Sequence, residues 1–305
     1  KEKGVNPLYF ASCKMVAAVV IRDARVFLRF NFSLCIGFFW ERKILSVTFD
    51  FKRKNFVVVG ASSGIGRQAA IELAQSGANV LAIGRNLKRL DELRKNSPIS
   101  LIKNPPRIFT EQLDVLTALP DDWAEVLENF TSAVGRINGG VYTAGIWGLT
   151  PLNSFDESLA RKIFDTSFWG AVNFVQAATR KRFSDGGASF VLMSSIAGDY
   201  SGKSLFAYSA AKAAVQAAVK SFAAEIIRGR HRINSVAPAL VKTEMMQNEL
   251  YAATASEEII SRHLLGLGTA QDVAGMILFL LSDRASWITG QNFFVDGGYI
   301  VGSYT

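Results

Sequence analysis

The chain is poor in the residues that staple or metallate a protein. Among 305 residues there are two cysteines, Cys13 and Cys35, which excludes a disulfide framework and points to a reducing compartment, the cytoplasm. Two histidines, His231 and His263, argue against a Cys/His zinc site and leave a Ser/His/Asp hydrolase triad little to draw on. Long apolar runs are missing as well. No stretch reaches the ~18 uncharged apolar residues of a membrane helix, so no membrane span is expected. What is present is an ordinary globular balance, 49% apolar and 20% charged, in a chain long enough to bury a full core.

The net charge of +8 is concentrated in one place. Residues 1–54 hold eleven Lys/Arg against four Asp/Glu, and the remainder 23 against 22. A nearly neutral body argues against nucleic acid as a partner. In residues 1–48 the apolar stretches are broken by Arg22, Asp23, Arg25 and Arg29 and carry no small-residue cleavage site. This segment is expected to be an N-terminal extension rather than a membrane-surface anchor.

From Phe56 onward, short apolar runs alternate with segments of helical period. The runs are Phe56–Val59, Asn79–Ile83, Ile108–Leu113, Gly140–Thr143, Ser189–Met193, Ile233–Val236 and Phe293–Val295. Between them lie stretches such as Arg67–Gln75 and Ala213–Ile227, with apolar residues three and four apart. Strand and helix repeated in this way imply an α/β fold: one doubly wound Rossmann-type domain over 49–305, with a mostly parallel seven-stranded sheet covered on both faces.

The first run passes directly into Gly60-Ala61-Ser62-Ser63-Gly64-Ile65-Gly66, followed by a helix. Glycines here permit a sharp turn and a close backbone approach to a pyrophosphate, which the helix N-terminus attracts. The second run ends in Gly84-Arg85-Asn86. An NAD enzyme is expected to carry an acid here for the ribose 2′-hydroxyl, whereas an arginine can pair with a 2′-phosphate, so NADP is preferred over NAD.

Tyr208 and Lys212 stand four residues apart on one face of a helix, and Ser195 follows a buried run at the sheet edge where ligands bind. Together these residues resemble the short-chain dehydrogenase/reductase family, nearest to its 3-oxoacyl-carrier-protein reductase-like group. Further matches are Asp114-Val115, Ala144-Gly145, Asn234–Pro238 with Thr243, and the tail Thr289-Gly290-Gln291 with Val295–Gly298. The resemblance implies a catalytic set of Ser195, Tyr208 and Lys212, with Ser167 in a relay position. It also implies cofactor contacts from Gly60, Ser62, Ser63, Gly64, Ile65, Gly66, Arg85, Asn86, Asp114, Val115, Ala144, Gly145, Tyr208, Lys212, Pro238, Val241 and Thr243. In this scheme Tyr208 gives its proton to a carbonyl oxygen that Ser195 holds. Lys212 contacts the nicotinamide ribose and draws the phenol toward working pH. The implied partners are a small carbonyl or alcohol substrate and further copies of the chain, as a homodimer or homotetramer.

Four positions depart from the family pattern. Tyr142-Thr143 replaces Asn-Asn before Ala144-Gly145, Ser167 stands where Asn is common, and Ala239 follows Pro238 in place of glycine. The serine motivates an alternative, a cofactor-binding redox sensor or scaffold with impaired turnover. Lys242–Leu267 is expected to form a substrate lid, with Met245, Met246, Leu250 and Tyr251 in its apolar first part. Arg180, Lys181 and Arg182, with Arg228, Arg230 and Arg232, are expected to be solvated helix ends; docking of an acidic acyl-carrier protein is the alternative.

Overall fold

The computed structural model describes residues 48–97, 107–247 and 256–302. Of the expected extension only Thr48 falls within them, and Leu250 and Tyr251 of the expected lid lie outside the described residues.

The strands are β1 (Asn55–Val59), β2 (Asn79–Gly84), β3 (Ile108–Gln112), β4 (Ile137–Tyr142), β5 (Ser184–Met193), β6 (Arg232–Pro238), β7 (Val241–Lys242), β8 (Gly268–Thr269) and β9 (Asn292–Val295). Seven of them form one parallel sheet in the order β3-β2-β1-β4-β5-β6-β9, and β7 pairs with β8 apart from it. All of β1 is buried: Phe56 and Val58 enter one layer, Val57 and Val59 the other. That is the alternation of a pleated strand covered on both faces.

The helices are α1 (Gly64–Gln75), α2 (Leu87–Asn96), α3 (Pro120–Val134), α4 (Glu157–Phe164), α5 (Gly170–Ala178), α6 (Phe206–Ile226), α7 (Glu257–Ser261), α8 (Ala270–Leu281) and α9 (Tyr299–Gly302). Apolar faces of α1, α2 and α8 fill one layer; those of α3, α5 and α6 fill the other. At the centre of the second layer, Phe174 meets the rings of Trp123, Tyr142 and Phe190 at centroid distances of 5.9, 6.0 and 6.2 Å. Each such pair adds ~0.5–1.5 kcal/mol to the burial of its area.

Every expected run is a strand, but β4 and β5 begin earlier than their apolar cores, at Ile137 and Ser184. Ladder pairing needs only backbone, and polar side chains there find partners: Asn138 Oδ1 accepts from the Asn55 N–H at 2.8 Å.

One expectation fails. Arg232 is not a solvated helix end but the first residue of β6, 9% exposed. Its guanidinium donates to the carbonyls of Leu280 (2.9 Å), Ile288 (3.3 Å) and Ser282 (3.1 Å). Carbonyls at the end of α8 have no partner within the helix and attract a cation inward. Lys181, Arg182, Arg228 and Arg230 are exposed.

The strand order reverses beside β1. The chain builds outward to β3, then returns across β1 to β4, and the crevice at the carboxyl ends of β1 and β4 is where such sheets hold ligands.

Candidate active site

The glycine loop is held by its neighbour across that crevice. Gly60 has φ of +85°, and a Cβ there would stand 2.6 Å from Thr143 Oγ1 and 2.7 Å from the Ala144 nitrogen. A Cβ on Gly66 would overlap both Thr143 Oγ1 and the Gly60 carbonyl. Only glycine fits at either place. Thr143 Oγ1 donates to the Val59 carbonyl at 2.8 Å, tying the end of β4 to the end of β1, so the departure from Asn leaves a working strut. Ser63 precedes α1 without making a side-chain cap; instead the Gly64 N–H donates to Glu244 Oε2 at 2.9 Å.

A cavity of about 360 Å³ runs along this edge. Gly60, Ser62, Ser63, Gly64, Ile65 and Gly66 line one end, with Arg85, Val115, Ala144 and Gly145. Pro238, Val241 and Thr243 also reach it. Asp114 is not in this lining; its Oδ1 accepts from the Leu116 N–H at 3.1 Å, and Leu113 and Val115 reach the cavity on either side of it. Asn86 is likewise set back. Its side chain caps α2 by accepting from the Arg89 N–H at 3.0 Å. It does share a shallow recess with Ser62, Ser63, Arg85, Arg89 and Gln112. Arg89 was not foreseen from the sequence, although a second arginine one helical turn beyond Arg85 is a readable signal.

At the other end stand the residues of the expected reaction. Ser195 follows β5 and opens a single 3-10 turn, its Oγ accepting from the Ala197 N–H at 3.2 Å and donating to the Pro238 carbonyl at 3.5 Å. Tyr208 and Lys212 lie on the first turns of α6. Lys212 is 3% exposed, its Nζ donating to the Met193 carbonyl at 3.0 Å and standing 5.6 Å from the centroid of the Tyr208 ring. The Ser194 hydroxyl donates to the Lys212 carbonyl at 3.0 Å and Gln216 Nε2 to the Ser195 carbonyl at 3.2 Å, so β5 and α6 are tied where the three functional groups meet.

Ser167 lies in a π-helical turn, Asp165–Trp169, joining α4 to α5. Such turns recur at functional sites. Its Oγ is buried with no hydrogen-bond partner, and it flanks Gly145 together with Lys212: a Cβ on Gly145 would be 3.4 Å from Lys212 Nζ and 3.6 Å from Ser167 Oγ.

Electrostatics here departs from the sequence expectation. Burial pushes the Tyr208 phenol up, and the Ser195 hydroxyl pulls it back only in part. Burial also pulls Lys212 down to about 8. Both groups are desolvated together, so the cost of burying charge outweighs their mutual attraction.

The rest of the lining comes from segments far apart in sequence: Trp147, Tyr200, Leu205, Met245, Ile259 and Tyr299. Of these Met245 is expected by name, and Ile259 falls within the expected lid Lys242–Leu267. Met246 is not in the lining. Among the described residues no group of three His, Cys, Asp or Glu side chains could hold a metal, and no helix is long and apolar enough to cross a membrane.

The residues present fit a dinucleotide. The glycine cradle leaves open space that side chains would fill, the first turn of α1 lines the cavity, and two arginines line the far recess.

Comparison with known proteins agrees. A family profile described as Enoyl-(Acyl carrier protein) reductase matches residues 60–300. A 3-oxoacyl-(acyl-carrier-protein) reductase of Thermotoga maritima is 32% identical over 80% of this chain and 97% of its own. An L-rhamnose 1-dehydrogenase (NAD(P)(+)) of a Sphingomonas species is 33% identical over 81% of this chain and 96% of its own. A solved short-chain type dehydrogenase/reductase from Mycobacterium ulcerans superposes with a TM-score of 0.75 at 32% identity, covering 83% of this chain and 92% of that one. The chain therefore belongs to the short-chain dehydrogenase/reductase family, oxidoreductases that exchange a hydride between a nicotinamide cofactor and a CH–OH/C=O group.

Proposed function

We propose that residues 49–305 form an NADP-dependent carbonyl reductase or secondary-alcohol dehydrogenase with Tyr208 as its acid/base. The observation that carries this reading is the meeting of Ser195, Tyr208 and Lys212 in one cavity that also holds the glycine loop and Arg85.

A bound nicotinamide supplies the hydride. Tyr208, kept protonated by burial, gives its proton to the oxygen that becomes the alcohol. Ser195 Oγ, in the same cavity as the phenol, holds that same oxygen. Lys212 Nζ binds the nicotinamide ribose and stabilises the phenolate left behind. Ser167 Oγ, buried beside Gly145 and otherwise unpartnered, is placed to pass a proton toward Lys212, which supports turnover over the impaired alternative. Gly60, Ser62, Ser63, Gly64, Ile65 and Gly66 bind the pyrophosphate. Val115, Ala144, Gly145, Pro238, Val241 and Thr243 line the path of the rest of the cofactor. Arg85, with Arg89 beside it, pairs with the 2′-phosphate.

The test is oxidation of NADPH with a set of ketones by the unmodified protein and by Tyr208→Phe. The substitution is expected to lower kcat by ~10² to 10⁴ while NADPH still binds. Normal turnover in Tyr208→Phe would remove the phenol from the mechanism.

A further inference from the structure

We propose that the substrate half of the cavity takes an uncharged ketone or secondary alcohol with an apolar ring or chain beside the reacting carbon, and turns away polyols, carboxylates and phosphates. The inference rests on the reductase reading above and goes beyond it to the substrate class.

Beyond the residues already assigned to the cofactor and the reaction, the large side chains lining the cavity of Ser195 and Tyr208 include Trp147, Tyr200, Leu205, Met245, Ile259 and Tyr299. Four of these six side chains offer no oxygen, and the only side-chain polar atom among those four is the indole N–H of Trp147. The two phenols are not both free for a ligand. That of Tyr299 is hydrogen-bonded to Arg262, whose guanidinium is also held by Glu258 at 2.6 Å. A ketose bound here would bury hydroxyls against leucine, isoleucine and methionine. Each hydroxyl left without a partner lowers affinity about tenfold.

Charge selects in the same direction. Among the described lining residues the cations are Arg85 and Lys212. Arg85 shares its recess with the glycine-loop serines, and the Lys212 ammonium is bound to the Met193 carbonyl at 3.0 Å. The ionisable side chain next to Met245 is an acid, Glu244, whose carboxylate sits on the Gly64 N–H at 2.9 Å. Among the described lining residues, a substrate anion would find no further cation to pair with.

The apolar wall is also preformed. Thr150 is fully buried and ties the loop bearing Trp147 to the one bearing Leu205. Its N–H donates to the Ser204 carbonyl at 2.7 Å, and its Oγ1 accepts from the Ala207 N–H at 3.3 Å, one residue before Tyr208. Trp147 is thereby held in register with the phenol, so an apolar ligand need not pay to organise its own pocket.

The experiment uses Tyr208→Phe in the full chain, loaded with NADPH so that ligands bind without turning over. It is titrated with tert-butylcyclohexanone, with the matching oxocyclohexane carboxylate and with erythrulose, read by nicotinamide fluorescence. The alkyl ketone is expected to bind at least ~10-fold more tightly than either competitor. Trp147→Ala in the same background is expected to weaken the alkyl ketone by about tenfold. Equal or tighter binding of the carboxylate or the ketose, or no binding of the alkyl ketone, would overturn the substrate class. Turnover is measured separately on the unmodified protein. Tight binding of the alkyl ketone without any reduction would support the class and overturn the reductase reading instead.

Discussion

The hydroxyl of Tyr142 donates to the main-chain carbonyl of Thr166 at 2.5 Å, in the space left by the missing side chain of Gly170. Tyr142 ends β4 one residue before the strut Thr143, and Thr166 belongs to the π-helical turn that carries Ser167. Burial, reinforced by the charge of Asp114, pushes this phenol up, so it remains a donor throughout the working range. The tyrosine that replaces the family's usual asparagine thus links the sheet edge to the turn behind Lys212.

This link predicts a coupled pair. A methyl group on Gly170 would overlap the Tyr142 hydroxyl, so Gly170→Ala should destabilise by ~1–3 kcal/mol. Tyr142→Phe removes the donor and should cost ~1–3 kcal/mol. Phenylalanine also removes the clashing oxygen, so the double variant should be more stable than the sum of the two losses by at least ~0.5 kcal/mol. Urea unfolding of the four proteins measures this, and simple additivity would show that the contact is not what Gly170 accommodates.

Lys212 should trade stability for function. Its folded pKa of about 8 lies below its ordinary value, so the fold penalises the charged form. Between pH 8 and ~10.4 the unfolded chain binds more protons than the folded one, and stability should rise with pH through that window. Lys212→Met should unfold at a higher temperature than the unmodified protein at pH 7 while losing turnover. Calorimetry checks the first part; a lowered melting temperature would mean that the bond to Met193 outweighs desolvation. In the reductive direction kcat/KM should stay flat through neutral pH and fall above about 8, as Lys212 loses its charge.

Cofactor choice should respond to two arginines. Arg85→Asp should reverse the preference from NADPH to NADH, since a charge-assisted bond to phosphate carries ~1.5–3 kcal/mol. Arg89→Ala should weaken NADPH by a smaller factor and leave NADH unchanged. Equilibrium titration with both cofactors measures each, and equal use of both by the unmodified protein would remove Arg85 from this role.

Arg232 should be among the costlier side chains to lose. Arg232→Met removes a donor to the Ser282 carbonyl and leaves those of Leu280 and Ile288 with one donor each, the Ser189 hydroxyl at 2.8 Å and Asn234 Nδ2 at 3.0 Å, and is expected to destabilise by ~1–3 kcal/mol. Lysine cannot reach three carbonyls at once and should restore only part. A loss below ~1 kcal/mol in urea unfolding would show that these carbonyls find other partners.

A shortened chain beginning at Ser46 should fold and bind NADPH as the full chain does. It retains Phe49 and Phe51, whose rings stack at 5.9 Å, with Phe51 edge-on to Phe56 at 5.1 Å. Aggregation of the shortened chain alone would show that residues before Ser46 cover an apolar surface.

Much of this molecule is legible in its sequence. Strand, glycine turn and helix are contiguous in sequence, so Gly60 to Gly66 declare a phosphate cradle through local backbone chemistry alone. The spacing of Tyr208 and Lys212 follows from the helical repeat, and the buried runs follow from strands covered on both faces. Other features were not legible because they depend on which distant segments meet. Trp147, Tyr200 and Tyr299 share a cavity only because the β4, β5 and β6 ends converge there. Glu244 reaches the Gly64 N–H across 180 positions of sequence. Arg232 reads as one more basic residue after a helix, yet β6 begins with it and three carbonyls draw it inside. The charge state of the reacting pair was the least accessible. The four-residue spacing shows that a phenol and an ammonium are near each other, but burial, which sets the cost of charging either one, is a property of the whole packed structure and was decided only there.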